Sequence, residues 1–472
     1  TGAVLAMASL PTYDLNAPGK VYNDFLTSGM TEEQIEENMK DLLNKQWRSK
    51  AINDTYEPGS TFKTLTLAMA LEENVVDLNT GFYCSGSVKI EGETINCSKR
   101  APGHGQQNLT QAFANSCNPA FINIGLRIGN DKFYQYMLDF GLTEKTGVDT
   151  TGEASGFVNS EIKYSTLALA CYAFGQNFNV TPIALLAAQC ACVNGGYLYT
   201  PYLVEEITDQ DGNVVSKHDS TPIRQVVSEE TSALVRDIME YEVTSGTGKN
   251  GQVAGYRIGG KTGTADKGQT GDVVVSFLCF APADDPQVIM LITMDTPSRA
   301  TGTYVSGGNM VAPTASTVMA EILPYLGVEP SYSAEELLGM DTTVPNVIGM
   351  SVEEAKAKLK DRALSYKIVG DGETITDQTP AGGAIIPGKS SVILYAGEEK
   401  STGKCVVPHL IGKTPSEANT TATAAGLLIR FSGTTGSESS SVRVLSQSID
   451  EGTEVEAGTV ITVQLGDTSV TD

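Results

Sequence analysis

Histidine is scarce in this sequence: His104, His218 and His409 are the only three in 472 residues. The eight cysteines form no paired C-x-x-C knuckles, so a structural zinc site is not expected, and neither a metal nor a cofactor is assigned. Positive charge is also in short supply. With 32 Lys+Arg against 56 Asp+Glu, the formal net charge of −24 repels phosphate backbones and anionic surfaces. Nucleic acid is thereby excluded as the first partner to consider. No stretch reaches the roughly 18 consecutive apolar residues of a membrane span, and the nearest, Pro182 to Val193, is too short. The opening TGAVLAMASL, Thr1 to Leu10, lacks a basic n-region, and its alternation predicts a half-buried strand rather than a signal peptide. The chain is therefore expected to start inside a domain, with any anchor or export signal upstream.

What is present suffices for a folded protein of two or three domains, since 40% of the residues are hydrophobic and only 19% charged. Residues 1 to about 330 mix helical and strand patterns, whereas the remainder is rich in Gly, Ser and Thr and is internally repeated. Val344-Pro345-Asn346-Val347-Ile348-Gly349 reappears as Val407-Pro408-His409-Leu410-Ile411-Gly412, and Glu354-Ala355 falls on Glu417-Ala418 at the same offset. Gln378 and Gln447 correspond at a longer offset, so the second copy carries an insertion. Each copy predicts a helix opened by a capping box, Ser351-x-x-Glu354 and Thr414-Pro415-x-Glu417, with Pro at the first helical position of the second. Short strands should follow over 365–369 and 391–395, then over 428–432 and 460–465. The boundaries read from this pattern are 1–330 for the first domain, 331–341 for a linker, 342–397 for one repeat, 398–404 for a second linker and 405–468 for the other repeat.

Among the cysteines, Cys190 and Cys192 fall on a predicted helix and Cys279 in the strand-like run FLCF, where burial accounts for all three. Cys84 and Cys97 flank the hairpin-like CSGSVKIEGETINC, and Cys117 follows. Either Cys84–Cys97 or Cys97–Cys117 is close enough in sequence to pair. The acidic stretch Thr31 to Lys45 (TEEQIEENMKDLLNK) predicts an amphipathic surface helix.

The residues that carry chemistry begin with Tyr56-Glu57-Pro58-Gly59-Ser60-Thr61-Phe62-Lys63, followed by an apolar-periodic stretch from Thr64 to Glu73. Pro58-Gly59 ends one element and Ser60 opens a helix. Positions three apart share a helix face, so Ser60 and Lys63 point into one space, with the Ser60 N–H among the unpaired donors of the first turn. A serine needs a base to attack a carbonyl, and lysine serves only where its pKa is lowered toward neutrality. Such a motif is weak alone and needs partners. Ser116 and Asn118 sit at a turn in Asn115-Ser116-Cys117-Asn118-Pro119, after a helix-like stretch from Leu109 to Ala114. In Ile258-Gly259-Gly260-Lys261-Thr262-Gly263-Thr264-Ala265, glycines flank a Lys-Thr pair and admit close approach of another chain or ligand. The run from Val273 to Phe280 (VVVSFLCF) then reads as a buried neighbouring strand.

Ser-x-x-Lys, Ser-x-Asn and Lys-Thr-Gly in this order resemble the signature set of penicillin-binding proteins and serine β-lactamases. TGAVLAMASLPTYDLN, DTYEPGSTFK, GHGQQNLTQAFANSCNP, GQNFNVTPIALLAAQCACVNGGYLYTPYLV and GGKTGTA extend the resemblance to class B penicillin-binding proteins, from Thr1 to about Leu326. The two terminal repeats resemble PASTA units over Thr342 to Gly397 and Cys405 to Asp467. This implies an α/β (α+β) fold, with a penicillin-binding transpeptidase domain built on a central antiparallel sheet flanked by helices, plus two small α+β PASTA domains. It also implies a division or sporulation D,D-transpeptidase that cross-links peptidoglycan stem peptides, is acylated by β-lactams and works with a membrane glycan polymerase. Its place would be the extracytoplasmic face of the bacterial membrane, held by an N-terminal anchor and pedestal expected upstream of this chain. By the same resemblance Ser60 is the nucleophile and Lys63 its base. Ser116 and Lys261 relay a proton to the leaving amine, and the Lys261 charge helps keep Lys63 neutral. Asn118 holds the substrate amide. The Ser60 and Thr264 N–H groups form an oxyanion hole, the Thr262 and Thr264 hydroxyls bind the terminal carboxylate, and Gly263 lets the strand lie against the substrate. The alternatives are a D,D-carboxypeptidase, a serine β-lactamase, or a non-catalytic wall sensor that binds β-lactams or muropeptides. Because Cys117 lies inside Ser-x-Asn, a Cys97–Cys117 disulfide would displace Ser116 and Asn118 and make activity redox-dependent.

Overall fold

The computed structural model describes residues 1–22, 24–268, 271–300, 302–331, 341–388, 390–399, 404–433 and 441–469. The expected linkers, 331–341 and 398–404, lie for the most part outside the described residues. The chain divides into two compact units, Thr1–Ile238 with Gly263–Val274, and Met239–Thr262 with Val275–Asp472. Helices and sheets are mixed throughout, as the α/β (α+β) reading expects.

The first unit is built around the helix Lys63–Glu72, in which every residue from Lys63 to Leu71 is buried. Its sequence, KTLTLAMALE, is small or apolar on nearly all faces, so neighbours can surround it. The helix Asn118–Ile128 comes very close to the end of the helix Thr166–Tyr172. A Cβ on Gly125 would lie 2.5 Å from Ala173 Cβ, so this crossing requires glycine. Thr66 Oγ1 donates to Ala173 O at 3.0 Å and ties the central helix to the same point. A fourth helix, Pro182–Val193, starts where the Thr181 side chain accepts from Ala184 N, with Pro182 in the first turn. From it the buried Gln189 reaches back and donates to Thr61 O at 2.7 Å. Phe62 and Phe178 meet edge-on at 4.8 Å beside this contact.

The hairpin-like stretch is a hairpin, with Ser87–Ile90 antiparallel to Glu93–Asn96. Gly81–Cys84 and Gly105–Asn108 pair antiparallel on either side of it in sequence, and the helix Leu109–Ala114 follows directly. The acidic segment forms two helices, Glu32–Glu37 and Met39–Trp47, joined at Asn38, and buries only Leu42 and Gln46 in the second. Thr1 to Leu10 does not form the expected strand. Its one bridge joins Ala3 to Tyr202, and Leu5 and Leu10 stay exposed, because only this short stretch finds a backbone partner.

The strand Val273–Ala281, which belongs to the second unit from Val275 on, is buried at every position, as its continuous apolar run requires. It lies between Val288–Asp295 and Gly259–Asp266 in a three-stranded sheet. The last four residues of Gly259–Asp266 belong to the first unit. The two repeats have one plan. Ser365–Val369 runs parallel, and Asp377–Thr379 antiparallel, to Ser391–Tyr395. Leu428–Gly433 and Val442–Gln447 flank Val460–Asp467 in the same senses. Both capping boxes form, from Ser351 with Glu354 and from Thr414 with Glu417. The matched glutamines fasten the matched openings: Gln378 accepts from Val347 N at 2.8 Å and donates to Pro345 O, while Gln447 accepts from Leu410 N at 2.9 Å and donates to Pro408 O. Leu428 of the second copy is buried in the apolar cluster of the first, and Arg430 pairs with Asp341 at 2.6 Å.

Candidate active site

Ser60 lies in a 3-10 turn, Gly59–Phe62, and the α-helix proper starts at Lys63. In a 3-10 turn residues i and i+3 eclipse, which stacks Lys63 directly over Ser60. The fully buried Lys63 brings Nζ to 3.0 Å from Ser60 Oγ. Further partners are Ser116 O at 2.6 Å and Ser116 Oγ at 3.1 Å, from the turn before the helix Asn118–Ile128, and Asn118 Oδ1 at 2.7 Å, from its first residue. Two of these, a carbonyl and a carboxamide oxygen, can only accept, so they take two N–H bonds from the amine. The two hydroxyls can donate, so a neutral amine is accommodated with its lone pair turned toward a serine O–H. Asn118 is oriented by its other end, where Nδ2 donates to Asn96 O at 3.0 Å. Ser116 holds a positive φ of 51°, a turn conformation that costs a non-glycine residue energy.

Gly59 shows why glycine precedes the serine. Its φ is +55°, and a Cβ there would lie 3.0 Å from both Thr264 O and Ala265 Cβ. The strand carrying Gly263 and Thr264 thus runs against the start of the Ser60 turn. Further back on this strand, Lys261 is fully buried, with Nζ 3.5 Å from Oε1 of an equally buried Glu242. Thr262 is buried too; its N–H donates to Glu242 Oε1 at 3.3 Å, and its hydroxyl lies 2.5 Å from that of Thr247. Thr247 Oγ1 donates to the same carboxylate at 2.7 Å.

All eight cysteines are free thiols. Cys84, Cys97, Cys117 and His104 converge, their ligand atoms all within 4.8 Å of one another, and Cys97 Sγ lies 3.5 Å from His104 Nδ1. A hydrogen bond from Cys117, aided by one with His104, holds the Cys97 thiol far below its usual range despite burial. The same hydrogen bond and burial push Cys117 up.

The family model of the penicillin binding protein transpeptidase domain matches residues 1–320, and that of the PASTA domain matches 342–398 and 406–467. The chain belongs to the penicillin-binding protein transpeptidase family. It is 42% identical over 364 residues to stage V sporulation protein D of Bacillus subtilis (strain 168), covering 75% of this chain and 55% of that protein. It is 30% identical over 348 residues to a probable peptidoglycan D,D-transpeptidase FtsI of Caulobacter vibrioides, covering 70% of this chain and 53% of that one. The chain therefore spans about half the length of these curated relatives. The crystal structure of the D,D-transpeptidase domain of a peptidoglycan glycosyltransferase from Eggerthella lenta superposes with a TM-score of 0.58 at 29% identity, covering 70% of this chain and 76% of that one.

Two features of this penicillin-binding fold escape sequence reasoning. Glu242 sits in a charged helical stretch, EETSALVRDIMEYEVTS, that carries none of the three motifs, and only the fold shows that Lys261 and Thr262 cover it. The Cys/His cluster draws its members from a strand end, a hairpin end, a loop and the Ser-x-Asn turn, so no knuckle spacing exists to find.

Proposed function

We propose that the protein is a peptidoglycan D,D-transpeptidase working through a Ser60 acyl-enzyme. The observation that carries this reading is the buried Lys63 amine, 3.0 Å from Ser60 Oγ and held by Ser116 and Asn118. Lys63 takes the Ser60 proton as Oγ attacks the carbonyl of the penultimate D-Ala of a donor stem peptide. The N–H groups of Ser60 and Thr264 receive the developing oxyanion. Ser116 and Lys261 return a proton to the departing D-Ala amine, and Asn118, Thr262, Gly263 and Thr264 bind the peptide. An amine of a neighbouring stem peptide then takes the acyl group, closing the cross-link. A β-lactam enters by the same first step and leaves slowly. Such a reaction belongs on the extracytoplasmic face of the cell membrane, beside a glycan polymerase that supplies strands. The likeness to a sporulation protein favours a sporulation role. The test is a donor muropeptide ending in D-Ala-D-Ala, with and without an amine acceptor, followed by chromatography. Cross-linked product with D-Ala release supports transpeptidation, D-Ala release without dimer would reassign the protein as a carboxypeptidase, and neither product would leave a binding module.

A second reading concerns the Cys/His cluster: we infer that Cys84, Cys97, His104 and Cys117 form a soft-cation site. Three sulfurs and one imidazole are the donor set of tetrahedral zinc, and their present spread is within reach of the sulfur separations of about 3.8 Å that Zn–S bonds of about 2.3 Å impose. Bound zinc would supply structural cross-linking, fixing the hairpin to the Ser116–Asn118 turn. The competing fate of Cys97 and Cys117 is a disulfide, two protons and two electrons passing to an external disulfide oxidant. A bound cation would block it.

A further inference from the structure

The second PASTA repeat ends on the turn that precedes the Lys-Thr-Gly strand. In that turn, Lys249–Gly251, Asn250 is fully buried, and its carboxamide pairs with the backbone of Asp467, the last residue of the strand Val460–Asp467. Oδ1 accepts from Asp467 N at 2.5 Å, and Nδ2 donates to Asp467 O at 3.3 Å and to Gly308 O at 3.0 Å. Two further contacts join the repeat to the same region. Lys249 Nζ lies 3.8 Å from Asp467 Oδ2, and Gln464 Nε2 donates to Pro313 O at 2.6 Å.

The other side of the turn faces the buried polar cluster. Thr247 bonds Glu242 and Thr262, and a Cβ on Gly248 would lie 2.1 Å from Glu242 Oε2. A Cβ on Gly251 would lie 2.5 Å from the Phe277 ring. The turn thus lies between the core and the repeat, with no room for a side chain at Gly248 or Gly251. Lys261 and Thr262 lie in the strand Gly259–Asp266, whose Thr264 and Ala265 lie against Gly59. Thr247, next to the turn, is joined to Thr262 of this strand directly and through Glu242.

We propose that Asn250 is a positioning residue through which the second PASTA repeat fixes the register of the Lys261–Thr264 strand. The repeat is then a working part of the transpeptidase rather than a spacer, with the Asn250 turn as its fixed partner. This rests on the acyl-enzyme reading above, but the contact itself can be read without it.

The test uses the full chain as Asn250→Ala, Gln464→Ala, the double variant and Arg430→Ala. Arg430→Ala breaks only the pair with Asp341 between the repeats and serves as the control. Acylation by a fluorescent penicillin is resolved into the non-covalent affinity and the acylation rate constant, and amide hydrogen exchange is followed over 247–251 and 259–262. The expected result is an acylation rate constant about tenfold lower for Asn250→Ala and for the double variant, of the size that small misplacements of reacting groups produce. Affinity should be nearly unchanged, exchange in both segments faster, and Arg430→Ala like the parent. Gln464→Ala alters only the repeat, so it keeps the test valid should Asn250→Ala fail to fold; it should show the same pattern more weakly. Loosened exchange at 247–251 with unchanged exchange at 259–262, or with unaltered acylation, would overturn the proposal. A parent chain that is never acylated would defeat the functional reading alone, and exchange at 259–262 would still decide this one.

Discussion

Lys63 Nζ lies 3.0 Å from Ser60 Oγ, and the Lys63 N–H also donates to Ser60 O where the 3-10 turn Gly59–Phe62 passes into the helix that starts at Lys63. Lys63→Ala should therefore lower the rate of penicillin acylation by about 10²–10⁴-fold, the usual worth of a positioned base. Lys63→Arg should not rescue it, since a guanidinium keeps its proton at working pH. Stopped-flow labelling of both variants checks this, and an active Lys63→Arg would remove lysine from the base role.

Protein purified under reducing conditions should carry about one zinc ion per chain, as a closed three-sulfur, one-imidazole site predicts. Cys97→Ser and His104→Ala should each lose it, and a chelator should lower the thermal midpoint of the parent. Elemental analysis with a thermal melt measures both. Metal-free protein with a Cys97–Cys117 disulfide in non-reducing peptide maps would replace the zinc reading by the redox one.

Glu242→Gln should destabilise strongly, by about 3–5 kcal/mol, because it leaves the Lys261 charge buried opposite a neutral amide. Glu242→Gln with Lys261→Met should recover a large part of that loss and remain inactive. Urea unfolding of the single and double variants gives the comparison, and an unaffected Glu242→Gln would show that the pair is not coupled.

Gln378→Ala and Gln447→Ala should each destabilise their own repeat by about 1–3 kcal/mol, since each leaves buried backbone groups of the Val-Pro opening without their partner. Differential scanning calorimetry should resolve losses confined to the repeat transition. A uniform shift of the whole melting profile would contradict this.

The same glutamines mark what the sequence made legible. A local rule, or one repeated in two copies, leaves a readable trace: the capping boxes, the hairpin at 87–96, the buried strand at Val273–Ala281 and the Ser60/Lys63 spacing all appear where propensity and period put them. What stayed hidden depends on distant segments meeting. Glu242 becomes a counter-charge only when a strand covers it, and Cys84, Cys97, His104 and Cys117 meet only when four separate elements converge. Thr1 to Leu10 shows the reverse failure, an alternating pattern that finds too little neighbouring backbone to form a strand.

Intact-mass spectrometry after incubation with a penicillin, on the parent chain and on Ser60→Ala, tests the central claim most directly. The expected result is a mass gain of one drug molecule on the parent, mapped to the peptide containing Ser60 and absent from Ser60→Ala. A folded parent that gains no mass, or an adduct that persists in Ser60→Ala, would contradict it.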